Sequence, residues 1–491
     1  MLLALIFIPF LAGVLSLVSR NANLRYFLLG FASVSHFTIT VLFWFFPPAA
    51  LFNNWIGLDR IGQLILSVTS GLFLGAGFYA ISYLKNEKHQ QIKDFQEDII
   101  FSNVPEAIFI CCMLFLLASM TFLALSQHFG LIWVAIELTT LTSAPLIYFH
   151  RHHRSLEATW KYLMICSVGI AIALLGNFFL AVAASTGGEK PVSLLASELV
   201  KYANVLNVKW LKAAFIFILV GYGTKMGLAP MHTWLPDAHS EAPSVISSLL
   251  SGAMLNCAFL GIFRTFQVCT AAGLADFAGD LLIALGLVSM LVAAVYIIRQ
   301  ADYKRMLAYS SVEHMGIVAI GLGLGKAAVF GSMLHLVNHS LTKAALFLVA
   351  GNILAVYKTK RTNDVQGMFK VIPVSAFLWL AGILSITGFP PFGTFISEFT
   401  ILKAGIEQGR FFVSGAYLVL LVIVFIGFAT ICIRMTQGSP EQGIEKVALK
   451  QRILSVVPPA IMILLVLVLG LFIPSSFKNF LHGICMLVGG N

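Results

Sequence analysis

Residues 219–243 read LVGYGTKMGLAPMHTWLPDAHSEAP. The stretch begins inside an apolar run that opens near Ala213, so Lys225 falls where the middle of a membrane-spanning helix is expected. An ammonium at a helix centre costs about 2.5–3.5 kcal/mol on insertion scales. A chain keeps that cost where the charge has a partner or a task. Gly221, Gly223, Gly227 and Pro230 surround it and weaken the helix, because glycine adds backbone freedom and proline deletes a donor. Irregular backbone at membrane depth is tolerated only where it faces protein or water. Two readings compete: an ion path through a breakable helix, or a buried Lys–Glu pair holding two helices together. An intramembrane ionisable group points first to function.

Working outward, the 491 residues are 59% hydrophobic and 11% charged, with a mean hydropathy of +0.92. This composition specifies an all-α polytopic membrane protein. The net charge of +10 sits in short loops, where it sets orientation, and does not indicate nucleic acid. Seven scattered cysteines, with only Cys111 and Cys112 adjacent, form no CxxC or Cys/His spacing. That argues against disulfides and metal cofactors. The opening MLLALIFIPFLAGVLSLVSR lacks a basic start and a small-residue cleavage site, and reads as a first span.

Apolar runs recur near 2–18, 27–46, 61–83, 105–125, 129–149, 160–184, 213–231, 243–264, 278–298, 306–324, 328–356, 372–402, 412–434 and 455–474. They predict about fourteen transmembrane helices. With the N-terminus outside, the cytoplasmic loops carry about 18 basic residues against roughly 10 opposite, so both termini are expected outside the cytoplasm. That tally includes Lys85, Lys88, Lys93, Lys446, Lys450 and Arg452; Lys190, Lys201 and Lys209 dissent. The run His150–Arg154 has no carboxylate or thiolate beside it and reads as a basic anchor, not a metal site.

The seventh span breaks near Gly227 and Pro230. The twelfth contains Thr387-Gly388-Phe389-Pro390-Pro391-Phe392-Gly393, followed by Glu398. Breakers in corresponding helices suggest inverted repeats, and an offset of five spans makes the second copy upside down. The expected units are helices 1–3 (1–100), a first repeat of helices 4–8 (101–265), a second of helices 9–13 (275–435), and helix 14 with its tail (436–491).

Few charges fall inside the apolar runs: Glu137 on the fifth, Lys161 near the start of the sixth, Lys225, Glu313 and His314 on the tenth, Lys343 on the eleventh and Glu398. His335, His339 and Lys343 are spaced i, i+4, i+8 and share a helix face. Imidazole both accepts and donates, so such a face with intervening water relays protons. Plainer alternatives are that Glu157–Lys161 is an ordinary i, i+4 pair, that His335 is a core histidine on a carbonyl, and that Glu313 is solvated near its loop. His232, Trp234, Pro236, Asp237, His239 and Glu241 form a polar outer-loop cluster. It reads either as a proton-access or inter-subunit rim, or as a stiff interfacial turn with an anchoring Trp.

Four motifs in order, GTKMGLAPMHTWLPDAHSEAPS, DYKRMLAYSSVEHMG, LVNHSLTKAALF and TGFPPFGTFISEF, resemble the antiporter-like membrane subunits of respiratory complex I, multi-subunit sodium/proton antiporters and membrane-bound hydrogenases. The resemblance runs from about residue 100 to 435, and GYGTKMGLAPMHTWLPDAHSEAP followed by LLSGAMLNCAF is most similar to the hydrogenase-4 branch. It implies a paired Glu137 and Lys225, a modulating Lys161, His314 and His339 in a central hydrophilic axis, and Glu398 as the ionisable group of the second broken helix. Asn256 departs from it, standing where many relatives carry a connecting lysine. An amide holds a water wire but carries no charge. The implied function is a proton-translocating subunit of a redox-driven complex in a bacterial or archaeal plasma membrane. Its partners would be the lipid bilayer, other membrane subunits and a peripheral redox module. Nothing in the chain ligates haem, flavin or a cluster, so no redox cofactor and no resident metal are expected. A sodium/proton exchanger and an inert assembly subunit are the competing classes.

Overall fold

A computed structural model describes residues 1–87, 92–93, 100–187, 191–325, 327–440 and 453–489. Lys88, Lys190, Lys446, Lys450 and Arg452 lie outside the described residues. The described residues are all-helical apart from a two-residue ladder between Ile92–Lys93 and Ile100–Phe101. Among the described residues, eleven helices are long and apolar enough to cross a membrane, and Leu2–Val18 and Pro373–Ile386 are shorter apolar ones.

In chain order the first helices are α1 (Leu2–Val18), α2 (Ala22–Phe45), α3 (Arg60–Glu87), α4 (Glu106–Leu125), α5 (Phe129–Ile147), α6 (His153–Thr186) and the short α7 (Ala196–Lys201). Then come α8 (Val208–Met226), α9 (Trp234–Glu241), and α10 (Ser244–Leu249), which runs through a π-helical turn at Leu250–Met254 into α11 (Leu255–Ala271). The second half holds α12 (Ala275–Ile297), α13 (Tyr303–Leu324), α14 (Ala327–Tyr357), α15 (Met368–Val371), α16 (Pro373–Ile386), α17 (Gly393–Glu407), α18 (Phe411–Thr436), α19 (Ile453–Leu471) and α20 (Ser475–Cys485).

Helix starts follow local chemistry. The carbonyl oxygen of the Asn207 side chain accepts from Lys209 N, and Asp302 Oδ1 accepts from Lys304 N and Arg305 N, filling orphan donors at the starts of α8 and α13. The expected seventh span ends earlier than its composition suggests. Gly227 takes φ +85°, so α8 stops at Met226, and Leu228 N bonds back to Gly223 O. The expected twelfth span is two helices: Gly388 takes φ +65°, and α16 and α17 are separated by residues 387–392. Both breaks therefore lie at the glycine–proline clusters.

The α10–α11 segment and α13 are enclosed by protein on all sides. They form the centre, with α14 packed against α13, α16 and α17. Helices α1, α2, α5, α6 and α18 expose Phe7, Phe31, Leu141, Met164 and Ile426, the apolar outer face a bilayer protein presents. Polar connections collect at two ends. One, termed here the basic end, gathers residues 150–154, 237–241, 299–305 and 358–364; Asp302 pairs with Arg361 there in an isolated bridge, and Thr362 N bonds Ala301 O. The opposite end gathers residues 51–59, 126–128 and 194–207.

Candidate functional site

Lys225, one residue before the end of α8, is fully buried. Its Nζ donates to Tyr162 OH at 2.5 Å and to Thr140 Oγ1 at 2.9 Å. Tyr162 OH is also 2.5 Å from Ser143 Oγ. The ammonium is thus held by hydroxyls of α5 and α6. Glu137, one turn from Thr140 on α5, accepts from Ser167 Oγ at 3.3 Å through Oε1, while its Oε2 has no protein hydrogen-bond partner. The ammonium and this carboxylate form no ion pair. Hydroxyls, and not the Glu137 carboxylate, accept from the ammonium where the resemblance implies a paired glutamate and lysine. Trp234, first residue of α9, donates Nε1–H to Thr224 O at 2.8 Å, satisfying a carbonyl freed by the break. Its ring centroid lies 5.0 Å from that of Tyr162.

Lys161 is not part of this buried group. Its side chain is 45% exposed and bridges Glu157 at 2.7 Å and Asp237 at 3.0 Å. It lies two turns into α6, close enough to the helix start for its long stem to reach the basic end. Asp237 is shared with Arg305 at 2.6 Å. Glu241 binds Lys360 at 3.0 Å and lies 3.5 Å from His152 Nε2. Asp237, Glu241, Arg305 and Lys360 line a cleft of about 250 Å³ together with Arg154 and Asp302. Burial alone would raise the Glu241 pKa, but Lys360, with His152 and Arg154, outweighs it and holds the carboxylate down at about 2. The polar cluster expected in an outer loop therefore belongs to the basic end, on the same side as His150–Arg154. The break turns the chain back into the fold, so Trp234 and His239 are buried and neither anchors an interface.

The second group lies where α13, α14 and α17 meet. His314 Nδ1 and His335 Nε2 share a hydrogen bond of 2.8 Å, and His335 Nδ1 is 3.0 Å from Ser397 Oγ. The His339 ring lies 5.3 Å from that of His314, and Lys343 Nζ donates to Leu307 O at 2.6 Å. The i, i+4, i+8 face of α14 thus points at α13. His335 is bonded to side chains, not to a carbonyl. Glu398, one turn into α17, is buried against the break: a Cβ on Gly388 would overlap its carboxylate. His314, His335 and Glu398 each offer a nitrogen or oxygen atom within 4.8 Å of one another. Glu313, expected to be solvated, is only 2% exposed, with Oε2 3.9 Å from His314 Nε2. Asp302 starts α13 early, so Glu313 is three turns deep.

Between the two groups, Asn256 Nδ2 donates to Gly252 O at 2.8 Å and to Ser340 Oγ at 2.7 Å. Ser340 follows His339 on α14. The amide therefore joins α11 to the histidine helix, and Ser251 does the same toward Ser311 of α13 at 2.7 Å. The π-helical turn lies just before Asn256, a distortion frequent at functional sites.

Sequence reasoning passed over Thr140, Ser143 and Tyr162, whose hydroxyls surround Lys225, and Ser397 beside Glu398. The signal was the spacing of Glu137, Thr140 and Ser143 along one face of α5. It also passed over Arg264 and Lys304. Arg264, fully buried on α11, pairs with Asp59 at 3.0 Å and bonds Ser126 O. Lys304 donates to Ser240 O at 3.2 Å and Ala242 O at 2.5 Å.

Residues 126–425 match the family model described as NADH:quinone oxidoreductase/Mrp antiporter, TM. A hydrogenase-4 component F homolog of Methylacidiphilum infernorum is 42% identical over 295 residues, 60% of this chain and 62% of that one. Hydrogenase-4 component B of Escherichia coli is 27% identical over 415 residues, 81% of this chain and 58% of that one. The chain thus spans about three fifths of the length of these curated relatives. Among solved structures, a chain of the membrane-bound sulfane sulfur reductase, an archaeal respiratory membrane complex, superposes with a TM-score of 0.85 at 20% identity, covering 100% of this chain and 98% of that one.

Proposed function

Because the chain belongs to the NADH:quinone oxidoreductase/Mrp antiporter membrane family, we propose that it is the proton-translocating antiporter-like subunit of a redox-driven membrane complex. The observation that carries this reading is the pair of buried titratable groups, each beside a broken helix: Lys225 next to Gly227, and His314, His335 and Glu398 next to Gly388. A charge at a helix break can change its hydrogen-bond partners with little loss of helical bonding, which a structural ion pair does not need.

In the proposed mechanism, Glu137 and Lys225 alternate between apart and paired. Lys225 takes or releases its proton through Tyr162 and Thr140, and Lys161 biases it through Asp237. Asn256 and Ser340 bridge the halves, and His339, His314 and His335 pass the proton to Glu398, with Lys343 and Glu313 setting the local charge. The two halves, 101–265 and 275–435, act as inverted repeats within about fourteen spans. Both termini lie outside the cytoplasm of a prokaryotic plasma membrane. Other membrane subunits and a peripheral redox module complete the complex, which supplies the redox cofactors.

The test is proton stoichiometry per electron pair in vesicles bearing the assembled complex. Glu398→Gln, which cannot release a proton, and His339→Leu are each expected to stop translocation while assembly persists. Unchanged stoichiometry in both variants would refute the axis. Transport that requires sodium and fails with potassium would assign the cation-exchange function instead.

A further inference from the structure

We infer that His314, His335 and Glu398 form a reversible binding site for a divalent transition-metal ion of the zinc type. Among the described residues these three place one ligand atom each within 4.8 Å of one another, and all three are buried. Two imidazoles and a carboxylate are a ligand set zinc takes in sites that keep a fourth position open. Tetrahedral ligation at about 2.0–2.1 Å puts ligand atoms about 3.4 Å apart. The two ring nitrogens, at 2.8 Å, must part slightly, and the carboxylate must move inward.

The surroundings of the cluster support the assignment independently of its ligand atoms. A metal-bound imidazole normally donates its other N–H to an acceptor that fixes its orientation. His335 Nδ1 faces Ser397 Oγ at 3.0 Å, so Nε2 is the free ligand atom. His314 Nε2 lies 3.9 Å from Glu313 Oε2, so a proton moved there from Nδ1 faces a carboxylate and frees Nδ1. Each neutral imidazole keeps its single proton, and a proton on the Glu398 carboxyl is displaced to the solvent buffer as the metal binds. Glu398 Oε1 has no protein partner to give up. Lys343, nearby on α14, has its own acceptor in Leu307 O.

Occupancy converts the His314–His335 hydrogen bond into two nitrogen–metal bonds, and no proton can then lie between the rings. Spacing in the sequence could not show this site, because its ligands come from three helices. The binding claim stands apart from the transport reading, since it is read without transport.

The experiment titrates the metal-free, detergent-purified full chain with Co²⁺, whose tetrahedral complexes absorb in the visible, then displaces it with Zn²⁺. X-ray absorption of the Zn²⁺ form reports the ligands. The expected result is one saturable equivalent with nitrogen and oxygen ligands. The band should be lost in His335→Gln and Glu398→Gln and kept in His482→Gln, a surface control. Ser397→Ala should keep the band and weaken affinity about 10–100-fold. Absence of a saturable band, sulfur ligation, or a band that survives both ligand variants would overturn the inference. The wild-type ligand set decides the matter even if a variant fails to fold.

Discussion

Lys225→Met separates two descriptions of the first half. Were Lys225 locked to Glu137, its removal would strand a buried carboxylate and cost about 3–5 kcal/mol. The observed contacts lead elsewhere. Burying an ammonium at membrane depth costs up to about 2.5–3.5 kcal/mol on insertion scales. Its two hydrogen bonds contribute about 1.5–3 kcal/mol each, the range for charged donors. These opposing terms nearly cancel. Substitution also orphans neither acceptor: Tyr162 OH keeps Ser143 at 2.5 Å, and Thr140 Oγ1 keeps Ile136 O at 3.4 Å. Methionine fills the space with an unbranched apolar chain. The expected loss is about 1 kcal/mol, read from reversible unfolding of the purified chain in mixed micelles. Translocation by the assembled complex should meanwhile stop. A loss of 3 kcal/mol or more, or normal translocation, would refute the hydroxyl-held, separated arrangement as the basis of function.

Gly388→Ala should assemble yet lower translocation at least tenfold. The left-handed conformation costs a side chain about 1–2 kcal/mol, and the new methyl would displace the Glu398 carboxylate; full activity would show that Glu398 need not sit at the break. A cysteine at His153, which is exposed at the basic end, should resist an impermeant thiol reagent added outside intact cells, in a background lacking the seven native cysteines. Efficient labelling would invert the topology. Glu241, held at about 2 by Lys360, contributes stability that is fully present above the ordinary carboxylate range and is lost as pH falls through about 2. Glu241→Gln should lack that acid-dependent loss, and matching acid unfolding curves for the two proteins would remove the cleft as its source.

The many-span helical character was legible because hydropathy dictates it, and both breaks because glycine and proline cluster there and Gly227 and Gly388 take positive φ. Depth was harder to read. Glu313 looked solvated because the loop before it is polar, yet an aspartate cap starts α13 eleven residues earlier. Lys161 looked intramembrane because its helix is apolar, yet its stem reaches Asp237. Partners across helices were harder still: spacing marks a polar face on α5 but does not announce that Tyr162 of α6, not Glu137, accepts from Lys225. The direction of the chain after the seventh span was also missed, since composition does not say that α9 folds back toward the centre.

That short helix has a mechanical consequence. At one end of α9, Trp234 holds the Thr224 carbonyl beside Lys225 and lies against Tyr162. At the other, Asp237 and Glu241 are gripped by Lys161, Arg305 and Lys360. Eight residues of helix span about 12 Å at 1.5 Å per residue. They form a crank between the surface charges and the tyrosine whose hydroxyl holds the buried ammonium. A neighbour that drew Asp237 away from Lys161 would turn the crank and swing the indole against the tyrosine, with no need to approach Lys225 itself. Under the proposed mechanism, the buried charge is addressed from the basic end through one tryptophan.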